Sequence, residues 1–466
     1  MITRKAIDYL KQWKERSDRK PLVLRGARQV GKTTLVETFA KEYDVFLHLN
    51  LERPADRELF ERYHEVSELL RAIFVHKNKI DHGTVLLFID EIQYSKRAVA
   101  ILRYFYEDLP RIHVITAGSL LETVIDVRKI SFPVGRVEYL PIRPCTFLEF
   151  LSGTGNDFDV NVIQSFEADF VHDRLMKHFH EYTLVGGMPA IVSKYAENHD
   201  VLVLKRLYNS LLQAYKDDVE KYTRNATTIR AIRTILDVGW MQAGSTITFE
   251  KFGASDFSSK EMSPAFQTIQ KAMLLELVYP SSSVQMPVLQ NLRRQPKLLW
   301  LDTGLVNYFS GIQKEVFSVA DIQDVWRGRI AEHIVGQELL ALDDSILNKR
   351  QYWRRDKQGS EAEVDFIYKY NSMAIPVEVK SGHNSRLTSL HLFMDECPHD
   401  FAVRVWSQPL SLDEVTSPRT GKRFRLLSLP FYYVGILERI LDKYFKLQTS
   451  NFKNEHHPSN LRRSPH

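Results

Sequence analysis

Short apolar runs alternate with helical patterns in the first third of the chain. The apolar runs are residues 21–26 (PLVLRG), 45–51 (VFLHLNL), 84–90 (TVLLFID) and 112–116 (IHVIT), and helical spacing appears at 32–42 and 96–107. Strands that alternate with helices form a parallel sheet through βαβ crossovers, and both faces of such a sheet are buried. The pattern therefore predicts an α/β domain over residues 1–160.

The pattern changes twice in the rest of the chain. Residues 161–225 predict a helical lid, interrupted by Gly186-Gly187-Met188-Pro189. Residues 226–312 show two helical segments and then an apolar run, an order that suits a winged helix and suits a generic helical lid comparably well. Strands return over 313–440, which predicts an α/β C-terminal domain, and the polar residues 441–466 predict a disordered tail.

Composition and charge narrow the class of protein. No apolar run approaches the roughly 18 residues that span a bilayer, so no membrane association is expected. The charged N-terminus lacks the apolar segment of a secretory signal. Cys145 and Cys397 are the two cysteines and lie far apart in sequence, which fits a reducing, cytoplasmic location. A net charge of +5 permits a nucleic-acid partner without requiring one.

The segment GARQVGKT, residues 26–33, follows the first apolar run and opens a helical pattern. It fits G-x-x-x-x-G-K-[ST], a loop whose backbone N–H groups surround phosphate oxygens. Lys32 is expected to reach the β- and γ-phosphates of ATP, and the Thr33 hydroxyl to bind Mg²⁺. The residues predicted to contact the nucleotide are Gly26, Ala27, Arg28, Gln29, Val30, Gly31, Lys32, Thr33 and Thr34.

An acidic pair ends the apolar run LLFIDEI. Asp90 and Glu91 lie at the carboxyl end of a predicted strand, where α/β sheets bind their ligands. Asp90 is expected to hold Mg²⁺ through water, and Glu91 to act as the general base on the attacking water. The alternative is a strand that ends in solvated acids.

Two further polar residues are candidates for the same site. Ser119 follows the run IHVITAG and either orients the γ-phosphate or caps the next helix. Arg136 follows Gly135 and either stabilises γ-phosphate charge, in its own subunit or in a neighbour, or forms a surface salt bridge.

Several of these motifs together resemble one bacterial and archaeal family of AAA-type ATPases with a C-terminal domain of unknown function. The shared features are RGARQVGKTTL, FIDEIQ, Gly135-Arg136 before LPIRPCTFLEFL, and GGMP. The resemblance covers residues 1 to about 440. It implies the roles given above for Lys32, Thr33, Asp90 and Glu91, and it makes Arg136 a candidate arginine finger. Ala117-Gly118-Ser119 departs from the Gly-Ser-Ser type of sequence expected there.

The segment EAEVDFIYKYNSMAIPVEVKSG carries a second group of charged residues. Two antiparallel strands joined at Tyr-Asn-Ser place Asp365 near Glu378, and Lys380 shares a strand face with Glu378. Glu332, on a helical pattern upstream, adds a third carboxylate. Carboxylates at this spacing can hold Mg²⁺, and a lysine beside them can stabilise a phosphate under attack.

This segment resembles the PD-(D/E)XK nucleases, with Val364 in place of the usual proline. The resemblance implies metal binding by Glu332, Asp365 and Glu378, and catalysis by Asp365, Glu378 and Lys380. The alternative is a nuclease-like fold kept for binding or packing. Trp353, Arg354 and Arg355 precede the unit and either contact a phosphate backbone or are solvated charges of an edge strand.

The sequence therefore predicts a P-loop parallel-sheet AAA core, a winged-helix-like middle domain and a restriction-endonuclease-like C-terminal domain. The predicted function is ATP hydrolysis, with ATP and Mg²⁺ as ligands, that controls the C-terminal domain, with DNA as a candidate partner and a homo-oligomer as a candidate assembly. One alternative is an ATP-dependent switch whose nuclease-like domain binds without cutting. Another is an ATPase that acts on proteins as a chaperone or assembly factor.

Overall fold

The computed structural model describes residues 2–118, 132–133, 135–311, 328–356, 362–380 and 387–444. Ser119 and most of the predicted tail lie outside the described residues. Residues 437–444 form a helix, so the predicted disordered tail begins too early. The reason is burial, because Ile440 and Leu441 are both fully buried in the core.

A five-stranded parallel sheet forms the N-terminal part of the chain. Its strands are β1 (Leu22–Arg25), β2 (Val45–Asn50), β3 (Val85–Asp90), β4 (Ile112–Gly118) and β5 (Glu138–Pro141), in the order β2-β3-β4-β1-β5. Every residue of β3 and β4 is buried, as expected for a sheet covered on both faces. Its helices are α1 (Ala6–Glu15), α2 (Lys32–Phe39), α3 (Pro54–Arg62), α4 (Val66–His76) and α5 (Lys96–Asp108).

Helices dominate the next part of the chain. They are α6 (Phe147–Gly153), α7 (Asp157–Gln164), α8 (His172–Val185), α9 (Pro189–Asn198), α10 (Lys205–Asp217) and α11 (Val219–Tyr222). The link from α8 to α9 contains Gly186 and Gly187, and its backbone lies against Cys145: a Cβ on Gly187 would come within 2.2 Å of the Cys145 carbonyl oxygen. This close approach explains why a glycine stands at that point.

Residues 226–311 contain helices and one antiparallel hairpin. The elements are α12 (Ala226–Val238), α13 (Ser259–Lys271), β6 (Leu275–Ser281), β7 (Lys297–Trp300) and α14 (Thr303–Phe309). Lys297 in β7 also forms a β-bridge with Thr246. The far end of β6 pairs in parallel with a strand of the C-terminal part, so the hairpin is joined directly to that part through backbone hydrogen bonds.

The C-terminal part is a mixed α/β unit. Its elements are α15 (Arg329–Ala341), β8 (Gln351–Arg354), β9 (Glu363–Val364), β10 (Phe366–Tyr370), β11 (Met373–Val379), α16 (Thr388–Glu396), β12 (Phe401–Trp406), β13 (Ser411–Thr416) and β14 (Arg423–Pro430). One sheet has the order β10-β11-β12-β14-β13 and another has the order β7-β6-β8-β9. Asn371 and Ser372, both with positive φ, form the tight turn between β10 and β11.

Three clusters of buried apolar side chains stabilise this arrangement. The largest runs from Leu10 through the middle helices to Leu441 and so crosses all parts of the chain. The second lies on the other face of the N-terminal sheet, and the third lies between the C-terminal sheet and α16. The continuous first cluster holds the N-terminal sheet and the C-terminal unit in contact.

No helix in the described part of the chain is both long enough and apolar enough to cross a membrane.

Candidate functional sites

The loop between β1 and α2 wraps tightly around the start of the helix. A Cβ on Gly26 would lie 2.3 Å from the carbonyl oxygen of Ile142, and Gly31 has a φ of +89°. Both positions therefore require glycine, the first for space and the second for backbone conformation. The loop places a helix N-terminus and its N–H groups at the carboxyl edge of the sheet, which is an arrangement that binds phosphate.

Lys32 holds this loop closed from within. Its ammonium group donates hydrogen bonds to the carbonyl oxygens of Gly26 and Ala27, each at 2.9 Å. An ammonium group has three protons, so one remains for a phosphate oxygen. Burial lowers the pKa of Lys32 to about 8, although the charges of Glu91 and Asp90 act in the opposite direction. A phosphate bound here would restore the ordinary preference for the charged form.

The end of β3 brings two oxygen ligands together beside Lys32. The Thr33 hydroxyl donates to the Asp90 carboxylate at 2.8 Å. Both are hard oxygen donors, and the pair fits a magnesium ion held by the hydroxyl directly and by the carboxylate through water. Such an ion would neutralise charge on the β- and γ-phosphates of bound ATP.

Glu91 lies next to this pair in an unusual backbone conformation. Its φ of 51° is left-handed, and its N–H donates to the Asp90 carboxylate at 3.0 Å. Burial raises the pKa of Glu91, whereas the hydrogen bond that the Gln93 amide donates to its carboxylate lowers it. Gln93 was not among the residues predicted from sequence, although its position two residues after Glu91 was visible in FIDEIQ.

Arg136 lies away from this site in the same subunit. It precedes β5, whose first residue Glu138 pairs with Leu22 at the start of β1, whereas the P-loop follows the end of β1. Arg136 is therefore at the opposite edge of the sheet, where it forms an ion pair with Glu107 at 2.8 Å. Within its own subunit, Arg136 is therefore not placed to reach a γ-phosphate bound at the P-loop. Ser119 lies outside the described residues.

The link between α8 and α9 fixes the middle helices to the P-loop domain. Gly187 N–H donates to the Asp302 carboxylate at 2.6 Å, and the Gly187 carbonyl accepts from Cys145 N–H, also at 2.6 Å. Asp302 is fully buried and also caps α14 through Leu305 N–H. Asp302 was not predicted from sequence, because its partner Gly187 lies more than a hundred residues away.

A second cluster of charged side chains lies at the start of β10 and the end of β11. Phe366 pairs with Val377, so Asp365 and Glu378 face each other one step further along. Asp365 accepts a hydrogen bond from Val379 N–H at 2.8 Å, and Lys380 contacts Glu378 at 2.8 Å. The structure thus brings together three of the four residues predicted from sequence, in the strand–turn–strand arrangement expected.

The fourth predicted residue, Glu332, is joined to the cluster by a lysine that sequence analysis missed. Lys297 places its ammonium group 2.9 Å from Glu332, 2.6 Å from Glu363 and 3.5 Å from Asp365. Burial acts to lower the pKa of Lys297, but the surrounding carboxylates outweigh burial and raise it. Burial raises the pKa values of Glu332 and Glu378, and the charge of Asp365 raises both further.

This geometry does not fit the metal set predicted from sequence. The described residues include no group of three His, Cys, Asp or Glu side chains placed to hold a metal ion. The physical reason is that the Lys297 ammonium lies among Glu332, Glu363 and Asp365 and supplies positive charge there. Trp353 is fully buried and Arg355 pairs with Glu396, so neither is an exposed contact for a phosphate backbone.

Comparison with known families supports the N-terminal site. Residues 18–151 match the family model of an AAA domain. Residues 176–316 and 327–420 match the models of two domains of unknown function, DUF8612 and DUF4143. An uncharacterized protein of Methanocaldococcus jannaschii is 22% identical over 377 residues, which cover 75% of this chain and 73% of that protein.

Two solved structures show a partial likeness. The Walker-type ATPase of Pyrococcus abyssi is 15% identical, with 66% of this chain and 96% of that chain covered and a TM-score of 0.42. The Aeropyrum pernix ORC2 protein is 12% identical, with 68% and 94% covered and a TM-score of 0.27. The family match together with the P-loop geometry confirms the predicted AAA-type, ATP-binding core.

Proposed function

We propose that this AAA-domain protein hydrolyses ATP and uses the nucleotide state to control its C-terminal unit. The observation that supports hydrolysis is the position of Glu91, directly beside the Thr33–Asp90 pair and oriented by Gln93. A protein that only bound ATP would need the P-loop and a magnesium ligand, but no carboxylate held at that point. Glu91 is the group that separates hydrolysis from binding.

The chemical step follows from these positions. Glu91 takes a proton from a water molecule as the water oxygen forms a bond to the γ-phosphorus. The bond from that phosphorus to the β,γ-bridging oxygen breaks, and ADP and phosphate are the products. Lys32 stabilises the charge that develops on the phosphate oxygens. A carboxylate whose pKa is raised by burial is a stronger base than an exposed one, which suits this role.

Two buried contacts support control of the C-terminal unit. Glu338 in α15 accepts hydrogen bonds from Phe147 N–H at 3.0 Å and from the Tyr182 hydroxyl at 2.7 Å. Glu332 lies in the first turn of the same helix, about 9 Å away along its axis. A shift of α6 or α8 that follows nucleotide binding would therefore move the helix that carries Glu332.

The proposed activity of the C-terminal unit is phosphodiester cleavage on DNA, supported by the opposed Asp365 and Glu378 and by Lys380 beside them. The order helix, helix, hairpin over residues 226–300 supports a winged helix as the DNA-binding part. A second candidate is a switch whose nuclease-like unit binds without cutting, and the contact of Lys297 with three carboxylates favours it. Cleavage of linear, circular or single-stranded DNA that disappears in Asp365→Ala protein would separate the two.

Steady-state ATP turnover of the purified full chain tests the proposed ATPase. Lys32→Ala should abolish tight ATP binding, and Glu91→Gln should keep ATP binding while turnover falls by a factor of about 10² or more. Glu37→Gln changes an exposed carboxylate on α2 and should turn over ATP at the wild-type rate. A Glu91→Gln protein as fast as the wild type would exclude Glu91 as the base.

A further inference from the structure

The ammonium group of Lys297 lies where two separate parts of the chain meet. Lys297 belongs to β7, within the segment that matches one domain of unknown function, and its three carboxylate partners belong to the segment that matches the other. The lysine is 4% exposed, so its charge is almost wholly compensated by protein groups. This is an ion cluster between two units and not a feature of either unit alone.

With all of its groups ionised, the cluster has more carboxylates than ammonium groups. Its four carboxylates are Glu332, Glu363, Asp365 and Glu378, and its ammonium groups are Lys297 and Lys380. Glu378 is 5% exposed, and its Oε2 atom has no hydrogen-bond partner among the described residues. An uncompensated carboxylate oxygen in a buried site is costly, so this oxygen indicates that the cluster can take a further positive charge.

A divalent cation and Lys297 compete for the same oxygens. Magnesium and manganese require several oxygen ligands at about 2.1 Å. Glu332 and Asp365 cannot close around such an ion while an ammonium group lies between them at 2.9 and 3.5 Å. The backbone of Lys297 is fixed by pairing with Val278 and Thr246, so withdrawal requires a new side-chain conformation or movement of the hairpin.

We propose that Lys297 is a tethered cation that closes the C-terminal carboxylate site to divalent metal, and that the site opens when Lys297 leaves. The biological purpose of this closure rests on the proposed nuclease-like role of the unit. The metal-binding test does not depend on that role. Movement of the β6–β7 hairpin relative to α15 is then the event that admits metal. While this contact is intact, the unit that carries Lys297 keeps the carboxylates of the C-terminal unit from binding metal.

Manganese binding by the full chain without nucleotide tests the proposal, with electron paramagnetic resonance of Mn²⁺ as the readout. Lys297→Met keeps the length of the side chain and removes its charge, and it should bind Mn²⁺ at least about tenfold more tightly than wild type, a change worth about 1.4 kcal/mol. Adding Asp365→Asn should abolish that gain. Lys260→Met, an exposed lysine on α13, is the matched control and should bind Mn²⁺ as wild type does.

Thermal unfolding supplies a second measurement in case Lys297→Met folds poorly. In EDTA, Lys297→Met should melt below wild type because three carboxylates lose their partner, and Mn²⁺ should raise its melting temperature more than that of wild type. Glu363→Gln removes only one partner of Lys297 and should show the same effects at smaller size. Equal Mn²⁺ affinity in wild type, Lys297→Met and Glu363→Gln would overturn the proposal.

Failure of the tethered-cation proposal and failure of the nuclease proposal give different results. Tight Mn²⁺ binding by Lys297→Met without cleavage of any DNA would support the tethered cation and reject the nuclease. Cleavage by wild type with no gain in Mn²⁺ affinity in Lys297→Met would do the reverse.

Discussion

Arg28 in the P-loop forms an ion pair with Asp218 at the end of α10, and the nitrogen and oxygen atoms lie 3.0 Å apart. Lys221 contacts the same carboxylate at 2.8 Å. The Asp218 side chain is 2% exposed and that of Arg28 is 33% exposed, so the pair lies at the margin of the core. This contact joins the loop expected to hold the phosphates to the helices that cover it.

Asp218→Asn should therefore destabilise the protein and weaken ATP binding. Loss of one partner from a buried pair costs several kcal/mol, and partial exposure of Arg28 reduces this to about 1–2 kcal/mol. Urea unfolding and ATP titration measure the two effects. Asp237→Asn breaks the exposed pair with Lys216 and should change the free energy of unfolding by less than about 0.5 kcal/mol. Equal effects of the two substitutions would show that the P-loop pair has no special role.

Gln93→Ala should reduce ATP turnover roughly tenfold with little change in ATP affinity, because the Gln93 amide donates to the Glu91 carboxylate and so orients the proposed base. The lost hydrogen bond also stabilised the charged carboxylate. The pKa of Glu91 should rise further, and the acidic limb of the pH–rate profile should move to higher pH. A slower enzyme with an unmoved profile would indicate a general structural defect instead.

Arg136→Ala should leave the isolated subunit's ATP site intact, since Arg136 lies at the opposite edge of the sheet. If a neighbouring subunit receives Arg136, turnover should fall about 10²-fold or more in Arg136→Ala protein while ATP affinity is kept. Mixing Arg136→Ala with Lys32→Ala protein should then restore part of the turnover. Unchanged turnover in Arg136→Ala protein would leave only the salt bridge with Glu107.

Glu338 should make stability depend on pH. Its pKa is raised from 4.5 to about 7, because burial and, to a smaller extent, the charge of Glu149 outweigh the hydrogen bonds from Tyr182 and Phe147, which lower it. Because the pKa is higher in the folded state, the protonated carboxyl group stabilises the folded state fully at pH values below its unfolded pKa of 4.5. This stabilisation is lost as the pH rises through the folded pKa of about 7. The loss is at most about 1.4 kcal/mol per pH unit in that window.

The neutral variant Glu338→Gln keeps an acceptor for Phe147 and Tyr182 and has no proton to lose. Wild type should lose stability between about pH 5 and about pH 8, so the free energy of unfolding of Glu338→Gln minus that of wild type should increase over this range. Urea unfolding at several pH values measures the difference, with the exposed Glu37→Gln as the control. Parallel curves for wild type and Glu338→Gln would contradict the assignment.

The sequence alone predicted where the nucleotide site lies. The residues that form it are neighbours in the chain or lie at the ends of strands, so the glycine positions and the approach of Thr33 to Asp90 follow from local patterns and from the rule for parallel sheets. The hydrogen bonds from Lys32 to the Gly26 and Ala27 carbonyls were not predicted. The opposed Asp365 and Glu378 were predictable for the same reason, since a two-residue turn fixes the register of its two strands.

Only the tertiary structure decided the long-range contacts. Lys297 reads in sequence as one basic residue before an apolar strand, and Glu338 as one acid in a helix, yet each meets partners from another part of the chain. Glu338 accepts from a backbone group 191 residues away. Periodicity shows which face of an element is buried but not which element covers it, and that choice depends on how the large shared core packs. That packing placed Lys297 among the carboxylates and Arg136 beside Glu107. From sequence, the carboxylates were therefore predicted to bind a metal, and Arg136 stayed open between its own subunit, a neighbouring subunit and a surface salt bridge.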